Sequence, residues 1–262
     1  MAKLVRPKKS LGQHFLTDLD IARRIAETLS EYKGMPILEV GPGMGVLTQY
    51  LLEEKHDVTV VEIDTESVAY LNKNFPQLSG RIVEGDFLQM DLAKEFGKNL
   101  CVIGNYPYNI SSQIFFKVLD YKDMVPCCSG MIQKEVAERL AAKPGSKTYG
   151  ILSVLMQAWY NVEYLFTVSE HVFNPPPKVK SAVIRMTRND VTELGCNEQL
   201  FKRIVKTAFN QRRKTMRNSL KSIIEPGSPI LANEVFNLRP EQISVAQFIE
   251  LTNEIEKHIV KP

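Results

Sequence analysis

Apolar residues in the first two thirds of the chain fall into short runs separated by segments with helical spacing. The runs are rich in Val and Ile and bounded by Gly, Asp or Asn, which is typical of strands. The predicted strands are 35–40, 57–63, 81–87, 100–105 and 129–133. Between them, 46–54 and 66–75 have the spacing of helices. This alternation predicts an α/β fold with a mostly parallel sheet, whose ligands bind beyond the carboxyl ends of the strands.

The pattern changes toward the C-terminus. A helix that Asp18 or Asp20 could cap precedes the first strand, and two further strands, 161–169 and 181–187, flank the proline-rich 173–180. After about residue 190 the spacing predicts helices only, at 198–209, 211–222 and 244–259. We therefore expect an α/β domain over residues 1–189 and a small all-α domain over residues 190–262.

Composition and charge narrow the class of protein. The 262 residues are 44% apolar and 24% charged, as in ordinary globular proteins, and no apolar run approaches the roughly 20 residues that span a bilayer. The basic N-terminus lacks the apolar segment of a secretory signal, so we expect a cytoplasmic protein that does not bind membranes. The four cysteines lack C-x-x-C spacing and the four histidines are scattered, so we expect buried thiols and no metal site.

The basic residues are concentrated in two blocks. Lys3, Arg6, Lys8 and Lys9 precede any acidic residue, and 201–224 contains eight basic residues and no acid. Such blocks are often solvated helix faces, but two of them in a chain of net charge +3 favour a polyanionic partner.

The first predicted strand leads directly into a glycine-rich loop. Gly41, Gly43 and Gly45 allow a tight turn and a close approach to a ligand, although a plain strand–helix turn is the alternative. Val46 stands where a dinucleotide site has its third glycine. The loop looks like that of S-adenosylmethionine-dependent methyltransferases, whose cofactor has no phosphates.

The next two strands end in acidic residues suited to a nucleoside. Glu62 follows Gly45 by 17 residues, close to the spacing of a carboxylate that accepts from ribose hydroxyls. Asp86 could accept from an adenine amino group, and Phe87 could cover the ring. Three strands that deliver suitable groups to one sheet edge predict a cofactor site.

The fourth strand ends in Asn105, Tyr106, Pro107 and Tyr108, which suit an exocyclic amine on a nucleobase. The Asn105 side-chain oxygen and the Tyr106 carbonyl would accept the two amine hydrogens, and Pro107 keeps Tyr106 out of the helical region. Tyr108 offers a flat face to a base taken out of its stack. A polar turn is the alternative, and similar motifs occur in DNA and protein-glutamine N-methyltransferases.

Several segments together resemble the ribosomal RNA adenine N6,N6-dimethyltransferases, in particular the bacterial enzymes that modify two adjacent adenosines near the 3′ end of small-subunit RNA. The resemblance covers nearly the whole chain. Its segments are KKSLGQHFLTD, EVGPGMGVLT, VVEID, GDFL, NYPYNIS, FNPPPKVKSAV and AFNQRRKTMRNSL.

The resemblance implies a role for each matching position. The cofactor contacts, with Gly43 added from the glycine loop, are Gln13, His14, Leu16, Gly41, Gly43, Glu62, Ile63, Asp86, Phe87 and Asn105. The catalytic and base contacts are Asn105, Tyr106 and Tyr108, with Phe173 as a candidate second wall, and the RNA contacts are Arg212, Arg213, Lys214 and Arg217. The family usually has Asn in place of His14 and Leu in place of Tyr106.

The expected enzyme transfers methyl groups from S-adenosyl-L-methionine to adenine N6 by positioning, without a metal or a covalent nucleophile. The expected partner is the small ribosomal subunit with its 16S rRNA, and nothing in the sequence calls for more than a monomer. Three alternatives share parts of the pattern: a resistance-type methyltransferase of large-subunit RNA, a DNA adenine methyltransferase, and a subunit-assembly factor that chiefly binds.

Overall fold

Residues 5–259 are described by the computed structural model, and their strands form two sheets. The strands are β1 (Phe15–Leu16), β2 (Pro36–Val40), β3 (Asp57–Glu62), β4 (Ile82–Glu84), β5 (Cys101–Asn105), β6 (Cys127–Gln133), β7 (Tyr160–Val168), β8 (Phe173–Asn174) and β9 (Ser181–Arg188). Seven form one sheet in the order β4-β3-β2-β5-β6-β9-β7, while β1 and β8 pair separately and antiparallel.

Helices connect these strands and dominate the end of the chain. The α-helices are α1 (Leu19–Glu27), α2 (Thr48–Glu53), α3 (Thr65–Asn74), α4 (Leu92–Phe96), α5 (Ser111–Asp120), α6 (Lys134–Leu140), α7 (Ile151–Gln157), α8 (Glu198–Asn210), α9 (Met216–Ser219) and α10 (Val245–Glu256). Single 3-10 turns lie at Lys9–Leu11, Ser30–Tyr32, Pro76–Leu78, Phe87–Gln89, Glu170–Val172, Pro229–Ala232, Glu234–Asn237 and Pro240–Gln242.

The large sheet confirms the α/β prediction. β4, β3, β2, β5 and β6 run parallel, and β9 lies antiparallel to β6. All five residues of β2 are buried, as expected for a strand covered on both faces. The chain passes from β2 to β3 on one side, and β5 lies on the other side of β2. Ligands bind at such a reversal of strand order, beyond the carboxyl ends of the strands.

Helix α1 shows how the sequence fixes one layer of this fold. Asp18 caps it by accepting hydrogen bonds from the backbone N–H groups of Asp20 and Ile21, at 3.0 and 3.1 Å. Its buried Ala22, Ile25 and Ala26 recur at helical spacing and belong to the same apolar core as residues of β2, β3 and α2.

The described chain divides into two compact units. The first comprises the residues up to Ala137 together with Val162–Arg188, and the second comprises Glu138–Asn161 and the residues from Asn189 onward. The division at Arg188 and Asn189 lies next to the expected boundary at residue 189. The range Glu138–Asn161 falls within residues 1–189, which we expected to form the α/β domain.

Side chains within the second unit explain that assignment. The Trp159 and Phe201 rings meet edge to face with centroids 6.0 Å apart, and Tyr149 contacts Phe209 at 6.1 Å. The Gln157 side-chain amide donates to the carbonyls of Leu140 and Ala142. The aromatic residues of Glu138–Asn161 thus complete the apolar core around α8.

The predicted helix over 211–222 is wrong. Helix α8 ends at Asn210, a turn follows, and only Met216–Ser219 is helical. Like charges at Arg213, Arg217 and Lys221 would recur every four residues in a continuous helix, which is unfavourable. The buried Met216 also donates its backbone N–H to the Leu238 carbonyl at 2.8 Å, so the chain leaves the helical path to reach that site.

None of the helices in residues 5–259 is long and apolar enough to cross a membrane. Within the same range, no group of three or more His, Cys, Asp or Glu residues is placed to hold a metal. Cys101, Cys127 and Cys128 are buried free thiols, whereas Cys196 is half-buried.

Candidate active site

A cavity lies at the carboxyl ends of β2, β3, β4 and β5, where the sequence predicts a ligand site. Its volume of about 210 Å³ is roughly ten times or more what one water molecule requires, so it can hold an organic ligand. All twelve predicted cofactor and catalytic residues line it: Gln13, His14, Leu16, Gly41, Gly43, Glu62, Ile63, Asp86, Phe87, Asn105, Tyr106 and Tyr108.

The glycine loop after β2 needs its glycines for conformation. Gly41, Gly43 and Gly45 have φ values of 68°, 55° and 77°, in the left-handed region that other residues rarely adopt. A Cβ on Gly43 would lie 2.8 Å from the Phe15 ring, and one on Gly45 would lie 2.4 Å from the Phe75 ring. Gly43 therefore allows the N-terminal segment to approach the loop, and Gly45 allows α3 to pack.

The Glu62 carboxylate joins the glycine loop to the end of β3. Its Oε2 accepts from the Gly43 backbone N–H at 3.0 Å, and its Oε1 accepts from the Asp64 N–H at 2.9 Å. Burial raises its pKa, and the two backbone donors oppose that rise. Each carboxylate oxygen has a second lone pair, so Glu62 keeps acceptor capacity for ribose hydroxyls.

The residues predicted to bind adenine follow the carboxyl ends of β3 and β4. Asp86 Oδ1 accepts from the Leu88 N–H at 2.9 Å, which fixes the carboxylate at the start of a 3-10 turn. Phe87 is buried, and Ile63 lines the cavity with 52% of its surface exposed. An exposed isoleucine on the wall of a cavity suits a flat apolar ligand.

Asn105 at the end of β5 is oriented by the chain around it. Its Nδ2 donates to the His14 backbone carbonyl at 3.1 Å. That bond identifies Oδ1 as the side of the amide that remains available as an acceptor. No protein donor reaches Oδ1 in the part of the chain that the structure describes.

The Tyr106 side chain makes its contacts with residues outside the cavity. Its hydroxyl donates to the Ser129 carbonyl at 2.7 Å and lies 3.3 Å from Cys128 Sγ, and its ring packs edge to face on Phe115. Burial raises the pKa of this hydroxyl well above its usual value. The ring also fills the space over Gly130, where a Cβ would lie 2.7 Å from it. Only the backbone of Tyr106 can serve the cavity.

Tyr108 has one face covered. The His14 ring stacks on it with centroids 5.4 Å apart and planes at 30°, and the Tyr108 hydroxyl hydrogen-bonds with Ser181 Oγ. His14 Nδ1 lies 2.8 Å from the Pro175 carbonyl oxygen. A base needs about 7 Å between two rings that sandwich it, because each stacking contact spans about 3.5 Å. The predicted base would therefore have to stack on the other face of Tyr108 or displace His14.

The N-terminal segment is tied to β3 by residues whose role the sequence pattern did not reveal. The buried Asp64 carboxylate pairs with the Lys8 ammonium and accepts from Ser67 Oγ at 2.9 Å and Gln13 Nε2 at 3.4 Å. Burial acts to raise the Asp64 pKa, but these donors outweigh it and the pKa is lowered. The available signal was an acidic residue directly after the predicted strand 57–63.

Glu39 is a second residue that the sequence reasoning missed. It lies within β2, lines the cavity and is buried, and its Oε2 accepts from Thr48 Oγ1 at 2.6 Å. Burial raises its pKa to about 8, and the nearby Glu62 charge adds to the rise. The signal was an acid inside an otherwise apolar strand.

Five predicted substrate residues lie outside this cavity. Phe173 is 4% exposed and packs in the apolar core beside its strand partner Leu16. Its contact with a base stays a prediction, because its place in the core gives no sign of one. The other four, which belong to the second unit, are Arg212, Arg213, Lys214 and Arg217.

The four cations of the second unit differ in what they contact. Arg212 donates to the Lys147 carbonyl and lies 3.7 Å from a Glu241 carboxylate oxygen. Arg217 donates to Asn237 Oδ1 at 3.2 Å. Arg213 and Lys214 are exposed in the turn after α8, and neither side chain has a hydrogen-bond or ion-pair partner within residues 5–259.

A family model described as ribosomal RNA adenine dimethylase matches residues 5–257. The chain belongs to this family. The prediction made from the sequence motifs is therefore confirmed.

Members of the dimethylase family with high similarity cover almost the whole chain. One is the ribosomal RNA small subunit methyltransferase A of Parabacteroides distasonis, 70% identical over 99% of this chain and 97% of its own length. Another, of the same name, is from Phocaeicola vulgatus, 69% identical over 97% of this chain and 91% of its own.

Solved structures agree on the methyltransferase fold. A dimethyladenosine transferase from Plasmodium falciparum superposes with a TM-score of 0.78 at 24% identity, covering 93% of this chain and 98% of its own. The 23S rRNA methyltransferase ErmE gives a TM-score of 0.68 at 26% identity, covering 91% and 99%. The predicted Rossmann-like class I methyltransferase fold is confirmed.

Proposed function

We propose that this dimethylase transfers methyl groups from S-adenosyl-L-methionine to N6 of two adjacent adenosines near the 3′ end of 16S rRNA. The product is N6,N6-dimethyladenosine, and the reaction belongs to ribosome biogenesis. Relatives at 70% and 69% identity named as small-subunit methyltransferases support the target. The observation that carries the chemistry is Asn105, whose Nδ2 is held by the His14 carbonyl so that Oδ1 is the acceptor.

The cavity residues fit S-adenosylmethionine. Glu62 retains lone pairs for ribose hydroxyls, Asp86 has a second carboxylate oxygen for an adenine amino group, and Ile63 exposes an apolar surface to a ring. The glycine loop permits close approach of the backbone. When bound, the cofactor supplies an electrophilic methyl group on a sulfonium.

The residues of this chain act by holding the target amine. An adenine N6 lone pair is delocalised into the ring, so the nitrogen is a weak nucleophile. Asn105 Oδ1 and the Tyr106 carbonyl accept its two hydrogens, which favours a pyramidal nitrogen whose lone pair points to the methyl group. Proton loss after transfer needs no strong base, and positioning supplies most of the rate. After the first transfer only one N–H remains, so a single acceptor must suffice for the second.

RNA binding is assigned to the C-terminal residues 190–262 and methyl transfer to residues 1–189. The exposed Arg213 and Lys214 side chains are suited to phosphates, because neither side chain makes a hydrogen bond or ion pair within the described chain. A ribosomal RNA substrate places the protein in the cytoplasm with the assembling subunits. All twelve predicted site residues that line the cavity come from this one chain, so a monomer is sufficient.

The test of this function uses labelled S-adenosylmethionine with unmethylated small subunits, protein-free large-subunit RNA and DNA as parallel substrates. We expect labelled N6,N6-dimethyladenosine from small subunits alone after digestion to nucleosides. Label in large-subunit RNA would support the alternative that the similarity to ErmE suggests. Cofactor binding without label in any substrate would favour an assembly factor that chiefly binds subunits.

The amine site is tested by Asn105→Ala. We expect methyl transfer to be nearly abolished while cofactor affinity falls only modestly, because the lost oxygen contacts the target amine. Asn74→Ala is the matched control, since it removes an amide from the exposed end of α3. Turnover near the wild-type rate in Asn105→Ala would refute the proposed role of this amide.

A further inference from the structure

The loop between β8 and β9 exposes an unusual set of side chains. Lys178, Val179 and Lys180 are all exposed, whereas Pro177 just before them is buried. Val179 is 45% exposed and is one of three large apolar residues that protrude from the described residues, with Leu19 and Ile63. The two cations attract phosphate, and the apolar side chain between them offers a surface on which a base can pack.

Both ends of this loop are attached to the proposed acceptor pocket. At its start, the Pro175 carbonyl oxygen lies 2.8 Å from His14 Nδ1, and the His14 ring stacks on Tyr108. At its end, Ser181 Oγ hydrogen-bonds with the Tyr108 hydroxyl. The exposed residues thus lie within one to three positions of groups that fix the aromatic ring of the pocket.

The backbone of the loop is held as well. The Lys180 carbonyl accepts from the Lys134 N–H at 2.9 Å, and the buried Pro177 anchors the middle of the loop. A fixed loop loses little conformational freedom on binding, which favours a binding role.

The local charge selects the kind of partner. Residues 171–189 contain no Asp or Glu, so no acid of this segment neutralises Lys178 and Lys180. A cationic rim around a base pocket is complementary to a phosphodiester strand whose nucleotide has entered that pocket.

We propose that the loop formed by residues 175–180 binds the RNA strand that flanks the target adenosine. Lys178 and Lys180 contact the adjacent phosphates, and Val179 packs against the neighbouring base. With two adjacent adenosines as substrates, that neighbour includes the second target. This inference rests on the proposed function and extends it to an RNA contact in the first unit.

The test is the double variant Lys178→Ala/Lys180→Ala, assayed for binding and methylation of unmethylated small subunits. We expect the KM for subunits to rise roughly tenfold, because each lost charge-assisted contact weakens binding by about a factor of three or more. The log–log salt dependence of binding should become shallower by about 1.4, at about 0.7 per phosphate contact for a single strand. Cofactor affinity should not change.

Two further variants separate charge from structure. Lys73→Ala/Lys98→Ala removes two exposed lysines near the opposite ends of the strands and should leave the KM and the salt slope unchanged. Lys178→Arg/Lys180→Arg keeps the charges and should restore the wild-type slope. A wild-type KM and slope in the double alanine variant would overturn the inference, as would a failure of the arginine variant to restore the slope.

Val179→Ser tests the apolar contact separately. It should raise the KM for subunits without changing the salt slope, since no charge is lost, and an unchanged KM would remove Val179 from the contact. Failure of the proposed function would give a different result, because wild-type protein would then leave small subunits unlabelled. If wild-type protein labels small subunits but the lysine variants leave the KM and the salt slope unchanged, only the proposed role of the loop is contradicted.

Discussion

Glu39→Gln should make the first unit more stable at neutral pH than the wild-type protein. The Glu39 carboxyl is buried in β2, and burial raises its pKa from 4.5 to about 8. A group whose pKa is higher in the folded state contributes stability below the unfolded value and loses it as pH rises through the folded value. Wild-type stability should therefore fall between pH 4.5 and about 8.

The magnitude follows from the size of the pKa change. Each pH unit between the folded and unfolded pKa values corresponds to about 1.4 kcal/mol, so a rise from 4.5 to about 8 corresponds to about 5 kcal/mol. Between pH of about 5 and about 7.5, linkage gives a loss of about 3 kcal/mol for this group. Glutamine is neutral throughout and can still accept from Thr48 Oγ1, so the variant should avoid that loss.

Native-state hydrogen exchange of the β2 amides, without cofactor, is the suitable assay. The fluorescence of Trp159 is less suitable because this residue lies in the second unit. The difference in the free energy of opening between Glu39→Gln and wild type should grow by about 3 kcal/mol from pH of about 5 to about 7.5. Glu84→Gln, which removes an exposed carboxylate from β4, is the control. A difference that is the same at both pH values would refute the reasoning.

Four other variants separate structural from functional roles. Arg213→Ala/Lys214→Ala should make the log–log salt dependence of subunit binding, measured by filter binding, shallower by about 1.4 to 1.8, and thermal unfolding should show no loss of stability. Arg212→Ala should instead lower the unfolding temperature, because its bonds to internal carbonyls are lost. Gly43→Ala should cost about 1–2 kcal/mol and weaken cofactor binding measured by calorimetry, since its φ is 55° and its Cβ would meet the Phe15 ring. Tyr106→Phe should lower the free energy of unfolding by about 1 kcal/mol in urea titrations, while methyl transfer persists through the carbonyl. A large loss of turnover in Tyr106→Phe, or an unchanged salt slope in the double variant, would contradict these roles.

The sheet and the edge at which its cavity lies were predictable because, in each strand, the spacing of apolar residues agrees with the residues that end the strand. In β2, five consecutive apolar or buried positions lead into three glycines, and β3 and β5 end in Glu62 and Asn105. In a parallel sheet the carboxyl ends of the strands face one edge, so residues far apart in sequence must converge there. Local pattern and topology are then sufficient to bring twelve residues around one cavity.

Features that depend on tertiary contacts were not predictable in the same way. The turn at Arg212 replaces a helix because Met216 is buried and bonded to Leu238, a partner that lies 22 residues further along the chain. The assignment of Glu138–Asn161 to the second unit depends on aromatic packing onto α8. The pairing of Lys8 with Asp64 joins residues 56 positions apart. Spacing within a short window contains no information on such partners.

The two departures from the usual family sequence have a common physical explanation. His14 stands where Asn is usual, and Tyr106 stands where Leu is usual. At both positions the group that we propose to serve the amine site is a backbone carbonyl: the His14 carbonyl accepts from the Asn105 amide, and the Tyr106 carbonyl is the second proposed acceptor. The side chains are bound elsewhere, His14 to Pro175 and Tyr106 to Ser129. Because every residue type supplies a carbonyl, the proposal allows a change of side chain at these two positions but not at Asn105, whose side-chain oxygen is itself the proposed acceptor.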